Sequence, residues 1–268
     1  MIKIHVFHTG EVIVDRAIPY KEKNPLAVTG FLRGKKKKIT LPVSCYLIEH
    51  PKGKILIDTG WHPKYVTEKP HRFFGLLGKI STPVITEGQS VDRKLEKLGI
   101  AASDLDYVIF SHLDFDHTSG LELVQNAKCI MASEAEIKDS NKYFFRYVKK
   151  NWNFANITPF SFNDTGIGPV GKSYDLFGDG TVLLVNTPGH SHGHTSVVVK
   201  NGGKFIVIAG DCVYTHASWQ EMRLPGFTVS KKSARKSLEW INELAHDDKC
   251  VAILANHDYE VGEQVFTI

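Results

Sequence analysis

Four side chains able to bind a metal ion fall within six residues of this chain: His112, Asp114, Asp116 and His117, in the run His112-Leu113-Asp114-Phe115-Asp116-His117. A short apolar run, Tyr107-Val108-Ile109-Phe110, stands just before them. Imidazoles and carboxylates this close compete for protons unless a cation holds them together. A cation so held lowers the pKa of bound water and provides a nucleophile at neutral pH, so these residue types suit metal-assisted chemistry. Three later groups repeat the arrangement. His190 closes Thr187-Pro188-Gly189-His190 after the apolar run 182–185, Asp211 follows Gly210 after the run 205–208, and His257 lies in Asn256-His257-Asp258 after the run 251–254. A lone His or Asp past a strand is more often a turn residue than a ligand. Four such groups in one chain point to a shared centre at one edge of a sheet structure.

The elements that must position these residues are short. Apolar runs at 2–7, 43–48, 54–57, 107–110, 128–131, 182–185, 196–199, 205–208 and 251–254 have strand length and β-branched content. Helical patterns lie between them. Ser90 can cap a helix whose apolar face is Val91, Leu95 and Leu98, with Gly99 as its stop. Ser133-Glu134-Ala135-Glu136 has capping-box spacing, and 233–246 puts Leu238, Ile241 and Ala245 on one face. Strands and helices interleave throughout, without a low-complexity linker or short repeat, so a single domain over residues 1–268 is expected.

Composition narrows the class. A net charge of +4 is too mild to call for nucleic acid, and the run Arg33-Gly34-Lys35-Lys36-Lys37-Lys38 reads as a solvated loop. The four cysteines, Cys45, Cys129, Cys212 and Cys250, form no C-x-x-C pair and sit in or beside apolar runs, as buried thiols in a reducing compartment would. No run approaches the roughly 18 apolar residues of a membrane span, and no secretory leader is evident. A cytoplasmic, soluble protein is expected, with no membrane partner. Two segments are rich in aromatics: 61–77, with Tyr65, Phe73, Phe74, Leu76 and Leu77, and 143–162, with Phe144, Phe145, Tyr147, Trp152, Phe154, Phe160 and Phe162. Both read as core packing before they read as pocket walls.

From Asp58-Thr59-Gly60 to His257 the chain resembles the metallo-β-lactamase fold superfamily, whose motif is H-x-H-x-D-H followed by a distant His, a distant Asp and a final His. His112, Asp116, His117, His190, Asp211 and His257 match it one by one. The resemblance implies a four-layer αββα sandwich of the α/β (α+β) class and a two-metal hydrolase. Within the superfamily the chain is most similar to the N-acyl-homoserine-lactone lactonases: Tyr214 stands three residues after Asp211, and Thr187-Pro188-Gly189-His190-Ser191-His192-Gly193-His194 follows their T-P-G-H-x-x-G-H segment. That likeness implies a lactonase acting on a small-molecule lactone or ester with a metal-bridging hydroxide. Tyr214 would steady the developing oxyanion and Asp116 would pass a proton to the leaving alkoxide. Asp58 and His194 would support the ligands from behind.

The chain departs from the motif at Asp114, which stands where the family has its second histidine. Flavodiiron proteins of the same superfamily carry a glutamate there. If Asp114 reaches the metal, two divalent ions, three aspartates and one hydroxide sum to zero charge, which favours iron or manganese over zinc. If it does not reach, the first ion keeps only His112, His190 and Asp211, while Asp116, His117, Asp211 and His257 still make a second site. The alternatives are a phosphodiesterase or thioesterase on the same fold, or a diiron-type redox or metal-binding protein. A phosphodiester would want Lys142, Arg146, Lys149 or Lys150 near the ions, but their spacing of three and four residues suits a solvated helix face better. Oligomeric state is not legible.

Overall fold

The computed structural model describes residues 1–66, 77–143 and 145–268. Every apolar run named above becomes a strand, most with one or both ends shifted by a residue or more. The strands are β1 (Lys3–Asp15), β2 (Lys38–His50), β3 (Gly53–Ile57), β4 (Ser81–Val84), β5 (Tyr107–Ile109), β6 (Cys129–Ser133), β7 (Ile157–Phe160), β8 (Asn163–Asp164), β9 (Lys172–Asp175), β10 (Val182–Asn186), β11 (Thr195–Asn201), β12 (Lys204–Gly210), β13 (Cys250–Ala255) and β14 (Val265–Thr267). The helices are α1 (Leu77–Ile80), α2 (Val91–Glu96), α3 (Phe115–Thr118), α4 (Glu134–Lys142), α5 (His216–Gln220) and α6 (Lys231–Ala245).

Among the described residues one sheet runs in the order β14-β1-β2-β3-β5-β6-β7, with β4 also on β1, and the other runs β13-β12-β11-β10-β9-β8. Side-chain alternation assigns each face. Ile55 and Ile57 of β3 meet Val182 and Leu184 of β10, Val197 and Val199 of β11 and Ile206 and Ile208 of β12 in the layer between the sheets. The intervening Leu56 turns outward to Val91 and Leu95 of α2, and Val185, Val198 and Val207 turn outward to Leu238 and Ile241 of α6. Because both faces of the inner strands are covered, they read in sequence as unbroken apolar runs. Each fully buried Ile or Leu there contributes about 1.5–3 kcal/mol. The result is helix, sheet, sheet, helix: the four-layer αββα sandwich.

The strands β4, β7, β8, β9 and β14 were not evident from sequence. They are short, lie at the margins of the sheets and carry polar residues or proline, such as Pro83 and Pro159. Helix α6 begins before Ser233: Ser230 is its cap, accepting from the Ser233 amide at 3.2 Å. Leu98 lies past the end of α2 and is exposed rather than on its buried face. Ser90 makes no side-chain cap bond; its hydroxyl goes to Asp92. In the aromatic segments, Tyr147, Trp152, Phe160 and Phe162 pack in the cores, while Phe145 and Phe154 are exposed. Phe73, Phe74, Leu76 and Phe144 lie outside the described residues. Among the described residues no helix is long and apolar enough to cross a membrane.

Candidate metal centre

Strands β3 and β5 are parallel, as are β12 and β13, and β10 runs the same way as β12 because each is antiparallel to β11. Their C-terminal ends deliver Asp58, the His112–His117 segment, His190, Asp211 and His257 to one edge of the sandwich. The turn into Asp211 needs a glycine. Gly210 has φ +57°, and a Cβ there would stand 2.8 Å from the Nε2 of His194.

Two groups of potential donors result, His112 with His190 and Asp211, all buried, and the half-buried Asp116 with buried His117 and His257. Asp211 joins them. Its Oδ1 lies 3.3 Å from His117 Nε2 and 3.2 Å from His257 Nε2, while its Oδ2 lies 3.7 Å from His190 Nε2 and 4.0 Å from His112 Nε2. Asp116 Oδ2 completes the second group at 3.9 Å from His117 Nε2 and 3.8 Å from His257 Nε2.

The far side of each ring is tied down. His117 Nδ1 donates to Asp58 Oδ2 at 2.8 Å, His257 Nδ1 to the Pro42 carbonyl at 2.8 Å, and His112 Nδ1 to Ser111 Oγ at 3.0 Å. Ser111 in turn donates to Asp58 through both its amide, 2.8 Å, and its hydroxyl, 2.7 Å. With Nδ1 placed to donate outward, each Nε2 points at the centre, where it can present a lone pair to an ion. His117 Nε2 and Asp211 Oδ1 are buried with no hydrogen-bond partner, and the Nε2 atoms of His112 and His190 face each other at 3.2 Å. Buried polar atoms are seldom left so. A mixed imidazole and carboxylate donor set of this kind fits divalent zinc, iron or manganese.

Electrostatics agree with a cationic occupant. Burial would lower His117, yet Asp58, Asp211 and Asp116 hold it well above its ordinary value. Burial would raise Asp211, yet His257 and His117 hold it well below the usual carboxylate range. Burial and then His117 press His112 down to about 4.

Asp114 does not stand alone. Burial would raise its carboxyl, but Arg146 first, then His112 and His190, hold it well below the usual range. Arg146 grips it as a fork, Nε to Oδ1 and Nη2 to Oδ2, both at 2.7 Å. This corrects the reading of Arg146 as part of a solvated helix face. Helix α4 ends at Lys142, and the chain turns Arg146 inward until 6% of it is exposed. Sequence reasoning also missed Glu136, whose position at the start of α4 suggested a capping box. Ser133 accepts from the Glu136 amide at 3.1 Å, but the Glu136 carboxylate points inward to the Leu113 amide, Tyr147 hydroxyl and Ser191 hydroxyl.

Tyr214 is buried, its ring stacked on His257 at 5.1 Å and its hydroxyl 3.5 Å from His190 Nδ1. Burial, then Asp211, push its pKa well up, so it keeps its proton. His194 lies behind His112, with Nδ1 2.8 Å from Thr187 Oγ1. His192 pairs with Asp139, His62 approaches Glu122, His5 pairs with Glu49 and His8 meets Ser44. The Arg33-to-Lys38 run has exposed lysines, but Arg33 is folded back onto Asp15 and Glu22. A cavity of about 90 Å³ opens on the cluster, lined by Val12, Val14, Ile18, Leu41, Ile80, Phe115 and Phe227 together with Asp114, Asp116, Arg146, His190, Asp211, Tyr214 and His257. Among the described residues its apolar wall comes from β1 and the turn after it, β2, α1, α3 and the loop before α6.

Residues 39–249 match the profile of the metallo-beta-lactamase superfamily. The chain is 32% identical over 231 residues to N-acyl homoserine lactonase AttM of Azorhizobium caulinodans, covering 81% of this chain and 82% of that one. It is 30% identical over 229 residues to an N-acyl homoserine lactonase of Bacillus cereus, covering 83% of each. A crystal structure of an N-acyl homoserine lactone hydrolase with N-hexanoyl-L-homoserine bound at its catalytic metal centre superposes with a TM-score of 0.77 at 26% identity, covering 97% of this chain and 94% of that one. With the strand-end cluster and the αββα layers, these likenesses establish that the chain belongs to the metallo-β-lactamase superfamily. It is a metal-dependent hydrolase of that fold.

Proposed function

We propose that the chain, acting as one domain over residues 1–268, is a lactonase that opens the ring of an N-acyl-homoserine-lactone-type substrate. His112, Asp114, His190 and Asp211 would hold one divalent ion, and Asp116, His117, Asp211 and His257 the other. The observation that carries the reading is the apolar cavity opening directly on Asp211 and Tyr214, which can lodge an acyl chain while its carbonyl meets the polar floor. The named activities of the relatives support it.

Bound there, two divalent ions would supply Lewis acidity toward a carbonyl and acidify water. The chain's own groups do the rest. Tyr214 accepts from His190 Nδ1, which leaves its hydroxyl proton to donate to the oxygen that becomes negative as the carbonyl is attacked. Burial raises the Asp116 carboxyl, which suits it to carry a proton to the departing ring oxygen. Asp58, through Ser111 and His117, fixes ring orientation. Val12, Val14, Leu41 and Phe227 exclude water around the acyl chain.

Among the described lining residues a phosphodiester substrate would meet no unpaired cationic side chain. Among the described lining residues Arg146 is the permanently charged base, and Asp114 and the His190 carbonyl occupy it. The free thiols, with Cys45 and Cys212 buried, suit a reducing, cytoplasmic setting. The test is proton release from short- and long-acyl lactones by protein loaded separately with zinc, manganese and iron. Metal-dependent release from acyl-homoserine lactones is expected. No release by protein verified to hold two ions would overturn the proposal.

A further inference from the structure

We propose that Arg146 is a positioning residue for the first metal ion: it turns Asp114 into a neutral, single-atom ligand, so that the pair takes the place of a histidine. The inference rests on the metal-centre reading above.

Three observations carry it. The first is the fork, which commits Asp114 Oδ1 wholly to Arg146 Nε at 2.7 Å and leaves Oδ2, although it also accepts from Nη2, facing the centre. The second is where Oδ2 then lies. It is 3.0 Å from His190 Nε2 and 3.4 Å from His112 Nε2, and those two atoms are 3.2 Å apart. Neighbouring donors of a tetrahedral ion with bonds of about 2.0–2.1 Å stand roughly 3.3 Å apart, so these three atoms form one face of such a polyhedron. The third is that Arg146 is held from every side. Its Nη1 donates to the His190 carbonyl at 2.8 Å, and its guanidinium lies 5.1 Å from the Tyr147 ring and 4.9 Å from the Phe227 ring. One side chain thus fixes two of the three donors.

The charge balance changes accordingly. Asp114, Asp116 and Asp211 together carry three negative charges. Arg146 reduces the total to two, the same as a set with a neutral histidine in place of Asp114. The departure from the family motif therefore does not by itself make the centre poorer in positive charge, and the preference for iron or manganese over zinc expected from Asp114 alone is removed.

The discriminating experiment counts zinc per chain after metal loading and gel filtration, with circular dichroism on each protein. If Asp114 were a plain ligand, Asp114→His would restore the family residue and bind at least as well as wild type. The pair predicts the opposite: a buried guanidinium left beside the cations should cut zinc from two per chain to about one. Asp114→His/Arg146→Gln should return the count to two, whereas Asp114→His/Arg146→Lys, similar in length but charged, should not. Arg146→Lys alone keeps the charge and loses the fork, and should keep two ions with first-ion affinity about tenfold weaker. Two zincs in Asp114→His, or equal rescue by Gln and Lys, overturns the inference while leaving the metal centre intact. Wild-type protein that takes up no ion overturns the centre itself and the inference with it. The Lys and Gln double variants share the Asp114→His background, so failure of the single Arg146→Lys variant to fold leaves the comparison standing.

Discussion

Asp211 is the side chain on which both donor groups turn, because its two oxygens face opposite ways. Every other donor serves one group. Behind the donors, Asp58 accepts three hydrogen bonds, two from Ser111 and one from His117, in a backbone conformation with φ +59° that non-glycine residues seldom adopt. Asp58→Asn should weaken ion affinity at the Asp116, His117 and His257 group by about 10- to 100-fold, because an amide cannot accept all three bonds. Competition with a chromophoric chelator reads this directly, and an unchanged Kd would remove Asp58 from the supporting role. Tyr214→Phe should lower kcat on a lactone by about 100-fold with the ion count unchanged. A wild-type rate would mean the hydroxyl donates nothing to the reaction. At this scale the clustering of these side chains was legible because each group of them follows an apolar run. Arg146 was not: it is 32 positions from Asp114, in a turn whose direction no local periodicity reveals. Phe227 and Val12 were invisible as cavity walls for the same reason, since nothing local brings them to the cluster.

At the scale of elements, the site exists because several strands end at the same edge, and the turns that follow them leave little room. Gly210 shows how little: its positive φ and the His194 ring behind it both exclude a side chain. Gly210→Ala should cost more than about 1 kcal/mol and displace Asp211 from both donor groups. Urea unfolding would measure the loss and ion counting the displacement, and a variant as stable as wild type with two ions would refute the steric argument. The inner strands were legible because burial on both faces writes them as apolar runs. The marginal strands β4, β7 and β14 were not, since their pairing is decided by neighbours such as β1 and β6 rather than by their own composition. The start of α6 was placed too late because Lys231 and Lys232 add nothing to its apolar face, and only the fold shows Ser230 capping it.

For the whole molecule, the αββα class followed from resemblance, while the partition of aromatics between core and cavity did not. A phenylalanine in a sandwich packs equally well on either side of a sheet, and sequence does not say which side faces the cluster. The donors are also widely dispersed along the chain. One group draws on His112, His190 and Asp211, and the other on Asp116, His117, Asp211 and His257. Such a centre cannot assemble until β5, β10, β12 and β13 are all docked, so the ion can have little hold on the transition state for folding. Mass action then makes a one-sided kinetic prediction. Adding zinc to metal-free protein should leave the refolding limb of the chevron where it was and slow unfolding by the full factor gained in stability. Equal movement of both limbs would mean that a partial site, such as the His112–His117 segment, already captures the ion on the way to the native state.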